Sequence, residues 1–252
     1  LHLDAHSITG VSDGSPLGFW ADLSGVGNHA VQATAGVQPV YRAAAASFHG
    51  LPVVHFDGLN DWMTLPSTTV SAGSFTAFAV ARYELISRNQ YLMAGQNGSG
   101  DNRIRFAVEA SSSPVFEYRA GSSGWKEITA PADLKVHLFA MTSVVEGFLD
   151  GVSLGRASNT SSEYPAAFNI GSYNRGQKDF FAGDLAELII FNRVLSRDEQ
   201  SKVGFYLGTK YGLNTAYVPT VHSPVPPDGS RNVSVDAGLQ WQPPAEVENP
   251  VY

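Results

Sequence analysis

The strongest constraint on this chain is its punctuation. Short apolar runs are closed by Gly, Asn, Asp or Ser at intervals of about ten residues. Runs of that length are too short for most helices and long enough for strands. Leu51–Phe56 ends in the turn pair Asp57-Gly58. Arg103–Ala110 alternates: Ile104, Phe106, Val108 and Ala110 share one face, and Arg103, Arg105 and Glu109 share the other. Successive side chains of a strand point to opposite sides of a sheet, so this run predicts a half-buried strand. Val115–Ala120 repeats the pattern, with Phe116 and Tyr118 opposed to Glu117 and Arg119. Ser74–Tyr83 is apolar in both phases, which predicts a strand buried on both faces. Leu134–Ser158 reads as a strand pair turning at Asp150-Gly151, with a second strand or bend near Glu146-Gly147. Ala166–Gly171 and Gly183–Phe191 add two more strands. This spacing predicts an all-β, two-sheet antiparallel sandwich rather than βαβ units.

One helix breaks the pattern. Ser196 and Glu199 form a capping-box pair. Val203, Tyr206, Leu207 and Tyr211 recur at helical spacing, and Gly212 suits a helix exit. Inner Gly204 and Gly208 work against this short C-terminal helix. After Tyr217 the composition changes, with proline at 219, 224, 226 and 227. Residues 217–227 read as a stiff linker. Residues 228–252 read as the truncated start of a second domain, which leaves 1–216 as the main one.

Composition removes several function classes. The chain has no cysteine, so structural disulfides and Cys-ligated zinc are excluded. A net charge of −7 lacks the basic field of a nucleic-acid binder. No apolar run is long enough to span a bilayer, which argues against membrane insertion. No charged-then-apolar leader opens the chain; a start on Leu1 rather than Met points to a mature or excised piece.

Four segments in order carry a likeness: "LHLDA" (Leu1–Ala5), "WADLSGVGNHA" (Trp20–Ala30), "VVHFDGLNDWMTLP" (Val53–Pro66) and the stretch from Phe181 to Leu213. Together they resemble the laminin-G-like domains of the concanavalin A-like lectin/glucanase superfamily, over roughly residues 1–216. Ser223–Pro244 is similar to the first strands of fibronectin type III or other immunoglobulin-like repeats. The resemblance implies a jelly roll with a concave face and a secreted or surface-attached bacterial parent. It implies binding of glycans or of surface proteins, and in many members a calcium ion. It does not imply catalysis, since fold does not settle function.

Retaining glucanases of this superfamily carry paired carboxylates on one strand face. The nearest match is Asp184 and Glu187 in "GDLAELII", whose i, i+3 spacing predicts opposite faces. There is no G-x-S-x-G, no G-x-x-x-x-G-K-[ST] and no H-E-x-x-H. The expectation is a non-catalytic carbohydrate-binding module. The alternatives are a protein-binding adhesion or structural domain with no sugar ligand, and a glycan-cleaving enzyme of the same fold.

Sugars are held by aromatic rings against the pyranose C–H face, with amide, carboxylate or Arg groups on the hydroxyls. Trp125 follows a Gly-Ser turn, and Tyr91, Tyr164 and Tyr173 lie near strand edges or loops. Tyr118 joins Trp125 and Tyr173 as a candidate, while Trp20 and Trp62 read as core. Arg103, Arg105 and Arg119 share one face if the two runs pair, and so either hold acidic groups of a polysaccharide or pair with Glu109 and Glu117. For calcium, Asp22 and Asn28 in "DLSGVGN" and Asp57 in "DGLND" offer oxygens in bent loops. Asx-turns explain the same residues.

Overall fold

Two eight-stranded antiparallel sheets face each other across an apolar core. The computed structural model describes residues 1–66, 69, 74–96, 102–120, 128–143, 146–156, 167–218, 222–225 and 240–242. In chain order the strands are β1 (His2–Asp4), β2 (Phe19–Trp20), β3 (Ala30–Val31), β4 (Val40–Arg42), β5 (Val53–Asp57) and β6 (Met63–Leu65). There follow β7 (Thr76–Tyr83), β8 (Gln90–Gln96), β9 (Asn102–Glu109), β10 (Val115–Ala120), β11 (Ile128–Pro131) and β12 (Val136–Thr142). Then come β13 (Glu146–Leu149), β14 (Val152–Arg156), β15 (Ala167–Ile170), β16 (Ala182–Phe191), the helix α1 (Arg197–Tyr211), β17 (His222–Val225) and β18 (Gln240–Gln242). The first sheet runs β14-β13-β12-β7-β16-β5-β4, with β1 also paired to β16. The second runs β11-β10-β9-β8-β15-β6-β3-β2.

The alternating runs fill the space between the sheets. Phe106, Val108, Phe116 and Tyr118 of the second sheet meet Ala79, Ala81, Tyr83 and Phe139 of the first. Tyr83 stacks with Phe116, Phe139 and Phe181 at centroid distances of 5.6, 6.0 and 4.9 Å. The doubly apolar β7 sits between β12 and β16, and its second face lies under α1 with Phe78 and Val80 in a second core. The stretch around Asp150-Gly151 holds three strands, the further strand near Glu146-Gly147 being β13, which starts at Glu146. Asp150 and Gly151 both take left-handed φ, 50° and 80°, as a tight two-residue hairpin requires.

The helix carries the expected capping box at Ser196 and Glu199 and a left-handed C-cap at Gly212. Its inner glycines have a packing reason. A Cβ on Gly204 would run into the Tyr217 ring, and one on Gly208 into Thr215. The chain after the helix folds back against it at these two points. Part of the stretch read as linker is strand: His222–Val225 pairs with Gln240–Gln242. Pro224 is tolerated there because each strand of a two-stranded ribbon keeps one unpaired edge.

Strand β16 contains a bulge between Leu185 and Glu187. Leu185 and Leu188 enter the main core, while Ala186 and Ile189 enter the core under α1. The extra residue therefore turns Asp184 and Glu187 to the same outer face, against the opposite-face expectation. Glu187 is 1% exposed. Its Oε1 accepts from His2 Nε2 at 2.7 Å and from the Tyr206 hydroxyl at 3.3 Å. Its Oε2 accepts from Lys210 Nζ at 2.7 Å and from the Tyr211 hydroxyl at 2.9 Å. Lys210 also reaches Asp4 Oδ2 at 2.6 Å. Burial disfavours the Glu187 carboxylate, yet the His2 hydrogen bond and the Lys210 charge hold its pKa below the ordinary value. Removing one partner of a buried pair strands the other. Glu187→Ala is expected to destabilise the protein by about 3–5 kcal/mol in denaturant titrations. Arg193→Ala, which breaks the exposed Arg193–Glu199 pair at 2.7 Å, should cost less than about 1 kcal/mol.

A second clamp closes the β12–β13 end. His137 Nδ1 meets Asp150 Oδ2 at 2.6 Å and its Nε2 meets Asp133 Oδ1 at 2.8 Å. Burial works against the imidazolium, but the two carboxylates outweigh it and raise the His137 pKa. A raised folded pKa means the folded state binds the proton more tightly. The clamp thus contributes fully below the unfolded value of about 6.5 and is lost as pH rises through the folded value. Melting midpoints should fall across that window in the parent protein, and His137→Gln should remove that part of the slope.

Candidate functional site

The two outer faces of the sandwich differ. That of the first sheet is closed by α1 over Phe78, Val80 and Ile189. That of the second sheet carries a polar and aromatic strip. The register places Thr64, Asn169, Ala94 and Arg105 side by side across β6, β15, β8 and β9. Tyr91, Ala107 and Glu117 form the neighbouring row. Tyr91, Ala94 and Ala107 pack with Tyr173 as a small cluster apart from the main core.

A short loop after β15 stands on this face and is held rigid by its own polar groups. Asn169, fully buried, donates from Nδ2 to the Ser172 carbonyl at 2.6 Å and to Ser172 Oγ at 3.2 Å. Its Oδ1 accepts from the Arg175 amide at 3.3 Å, and Ser172 Oγ accepts from the Gly176 amide at 2.9 Å. The Tyr173 amide donates to the Lys178 carbonyl at 3.0 Å. Asn174, Arg175, Gly176 and Asp179 all have left-handed φ. Strain of this kind persists where the surroundings over-determine it and gathers at functional sites. A Cβ on Gly176 would strike the Trp62 indole, so the loop lies directly against Trp62. On the other side Tyr173 meets Tyr91 edge-on at 5.3 Å, with Lys178 Nζ 5.1 Å above the Tyr173 ring. Arg175, Gln177 and Lys178 are exposed at the loop's surface.

Arg105 is the cation of the strip. Its Nε donates to Glu117 Oε1 at 2.7 Å, its Nη2 contacts the same oxygen, and its Nη1 donates to the Tyr91 hydroxyl at 3.2 Å. Arg105 is 6% and Glu117 3% exposed. Burial raises the Tyr91 pKa, against the pull of Arg105. The cross-strand Arg–Glu reading is therefore the one this pair follows. Trp125 and Tyr164 lie outside the described residues, as do the side chains of Arg103 and Arg119.

Tyr118 is a correction. It is 1% exposed, faces the main core in phase with Phe116, and donates to the Phe148 carbonyl at 3.1 Å. Alternation along β10 settles this, since its neighbour Glu117 takes the outer face. Trp62 is the residue that sequence reasoning missed. Met63 and Leu65 are buried, so Trp62 and Thr64 take the other phase, and both are half-buried rather than core. Trp20, by contrast, is fully buried as expected.

Of the residues proposed for calcium, Asp22 has both carboxylate oxygens engaged. Asp22 Oδ1 accepts from the His2 amide at 2.7 Å and the Ser24 amide at 3.0 Å. Its Oδ2 accepts from Ser24 Oγ at 2.7 Å and the Asn28 amide at 2.8 Å. Burial opposes the charge, but these four bonds lower the Asp22 pKa. N–H and O–H groups converging on both oxygens are a donor set for an anion, and they do not fit a cation. Asn28 is buried in the same turn. Asp57 Oδ1 accepts from the Leu59 amide at 2.7 Å and the Asn60 amide at 3.2 Å, an Asx-turn. Beside it, burial raises the Asp61 pKa to about 6.

The carboxylates of the enzyme alternative are also engaged. Asp184 is 2% exposed, with His55 Nδ1 at 2.9 Å, Arg42 at 3.6 Å and Arg82 at 3.7 Å. Glu187 is enclosed by its four donors beneath α1.

Residues 56–199 match the Laminin G 3 family of the concanavalin A-like lectin/glucanases superfamily. The chain belongs to that family, and its sandwich of two antiparallel sheets with one helix is the superfamily's fold. No curated protein matches the chain. Among solved structures it is similar to Trypanosoma rangeli sialidase in complex with sialic acid, with TM-score 0.55 and 17% identity over 77% of this chain and 31% of that one. A mutant of that sialidase displaying trans-sialidase activity gives TM-score 0.57 and 17% identity, over 81% and 33% of the two chains. Domain 4 of AbnA, a GH43 extracellular arabinanase from Geobacillus stearothermophilus in complex with arabinotriose, gives TM-score 0.49 and 15% identity, over 63% and 77%. The chain spans about a third of the length of the sialidases it matches. No helix among the described residues is long and apolar enough to cross a membrane.

Asp22→Ala removes four hydrogen bonds at once and should lower stability by roughly 2–3 kcal/mol. The loss should be equal in calcium and in chelator. A midpoint that rises with calcium in the parent and not in the variant would restore the metal reading.

Proposed function

We propose that this domain is a non-catalytic module that binds carbohydrate through the outer face of its second sheet. The observation that carries the reading is the loop after β15: a strained, hydrogen-bonded ridge set between Trp62 and the Tyr91–Tyr173 pair. Sugar recognition asks for this combination, an apolar ring for the pyranose face and fixed polar groups for the hydroxyls. Arg175, Gln177 and Lys178 supply exposed polar groups beside the rings. Membership of a lectin and glucanase superfamily supports the same reading. The engagement of Asp184 and Glu187 in buried networks supports binding without bond cleavage. Such a module serves a larger protein outside a bacterial cell, where it holds that protein on a polysaccharide or surface glycan. No calcium ion is required, since the strip uses rings, amides and a neutralised Arg–Glu pair.

The test is retention on a panel of polysaccharides and glycans, with reducing ends measured alongside. The parent protein should bind at least one glycan and release no product. Trp62→Ala and Tyr173→Ala should each lose on the order of tenfold in affinity while keeping the parent's circular dichroism. Silence across the panel, or capture of a protein partner alone, would move the domain to the adhesion class. Product release would make it an enzyme.

A further inference from the structure

The outer face of the second sheet does not stop at the loop. Past Thr64 the row continues to Val31 of β3 and Phe19 of β2, which pair directly with each other. Their neighbours Ala30 and Trp20 are fully buried, so alternation sends Val31 and Phe19 outward. Phe19 is 54% and Val31 39% exposed. The Phe19 ring leans on His29 at 4.9 Å between centroids. The two large apolar side chains are paired on an open sheet face and offer a ligand one joined apolar contact. From Phe19 the row crosses β2, β3, β6, β15 and β8, where it reaches Ala94, with Tyr91 on the neighbouring row of the same face. At roughly 4.8 Å per strand step this is about 19 Å, longer than a single sugar ring. Between the two ends lie half-buried Trp62 and the exposed Arg175 and Gln177.

We infer that the ligand is an interior stretch of an unbranched polysaccharide laid across the strands, with Phe19 and Val31 as a distal subsite. The inference rests on the glycan-binding reading above. It adds that affinity is built along a chain and not at a chain end. The occupant follows from continuity: rings stand at both ends of one sheet face, Phe19 at β2 and the Tyr91–Tyr173 pair at β8, and the exposed polar side chains of Arg175 and Gln177 stand between them. A terminal sugar would fill the Tyr91–Tyr173 end and leave Phe19 without a role.

The test is calorimetry with ladders of neutral xylan, glucan and arabinan oligosaccharides, from disaccharide to octasaccharide, on the full chain. Affinity of the parent should climb with length. Phe19→Ala should match the parent on the shortest bound oligosaccharide and lose on the order of tenfold on the longest. Phe19→Trp should recover the loss, and melting midpoints should match, because the side chain is exposed. Tyr173→Ala should weaken every length. Affinity that is flat with length, or Phe19→Ala equal to the parent throughout, would overturn the distal subsite and leave the glycan reading intact. Absence of binding by any ladder and by the polysaccharides would overturn both.

Discussion

The fold is organised around one buried carboxylate. Glu187 sits on the central strand of the first sheet, which pairs with β7, β5 and β1. A charge in that position is tolerable because four donors from β1 and α1 enclose it. The bulge before it is what aims it at the helix. Without the extra residue, Glu187 would point into the apolar core between the sheets, away from its donors on β1 and α1. Bulge, carboxylate and helix are therefore one device. Its effect is to fix α1 over the first sheet, while among the described residues no helix covers the second.

That division gives each sheet a different chemistry. The first is apolar on both sides through β7 and β16, with its polar groups gathered into closed networks. The second keeps an apolar inner side and a mixed outer side. Its deepest polar residues, Asn169, Arg105 and Glu117, are buried and already paired with protein groups. They shape the face and hold the ridge. The more accessible groups of this face are the half-buried rings of Trp62 and Tyr173 and the polar residues of the ridge surface.

Much of this was legible in the sequence, for physical reasons. Alternation marked β9 and β10, double apolarity marked β7, and the Ser196–Glu199 box marked the start of α1. Those signals are local, and local geometry decides them. The bulge at Ala186 was not legible, because no residue in "GDLAELII" announces an extra residue in the ladder. It is set by pairing with two neighbours distant in sequence. Gly204 and Gly208 read as helix weaknesses, since their reason, the returning chain at Thr215 and Tyr217, lies in tertiary contact. Trp62 and Tyr118 are a different matter. Both phases were present in the sequence. Met63 and Leu65 place Trp62 outward, and Phe116 places Tyr118 inward. Residue type and family position outweighed alternation, and alternation was the better guide.

The calcium expectation turned on the same distinction between composition and direction. "DLSGVGN" holds the residue types of a cation loop, and its glycines let the backbone bend. Yet the amides of His2, Ser24 and Asn28 and the Ser24 hydroxyl converge on Asp22, so both its oxygens accept from donors. A loop of identical composition with carbonyls turned inward would invite a cation. The ridge after β15 shows the converse. There Asn169 and Ser172 take up the amides of Arg175 and Gly176, and the strain of left-handed residues buys a fixed surface. The surface residues of the ridge can therefore change without disturbing Asn169, the sheet beneath or the Glu187 network on the far side.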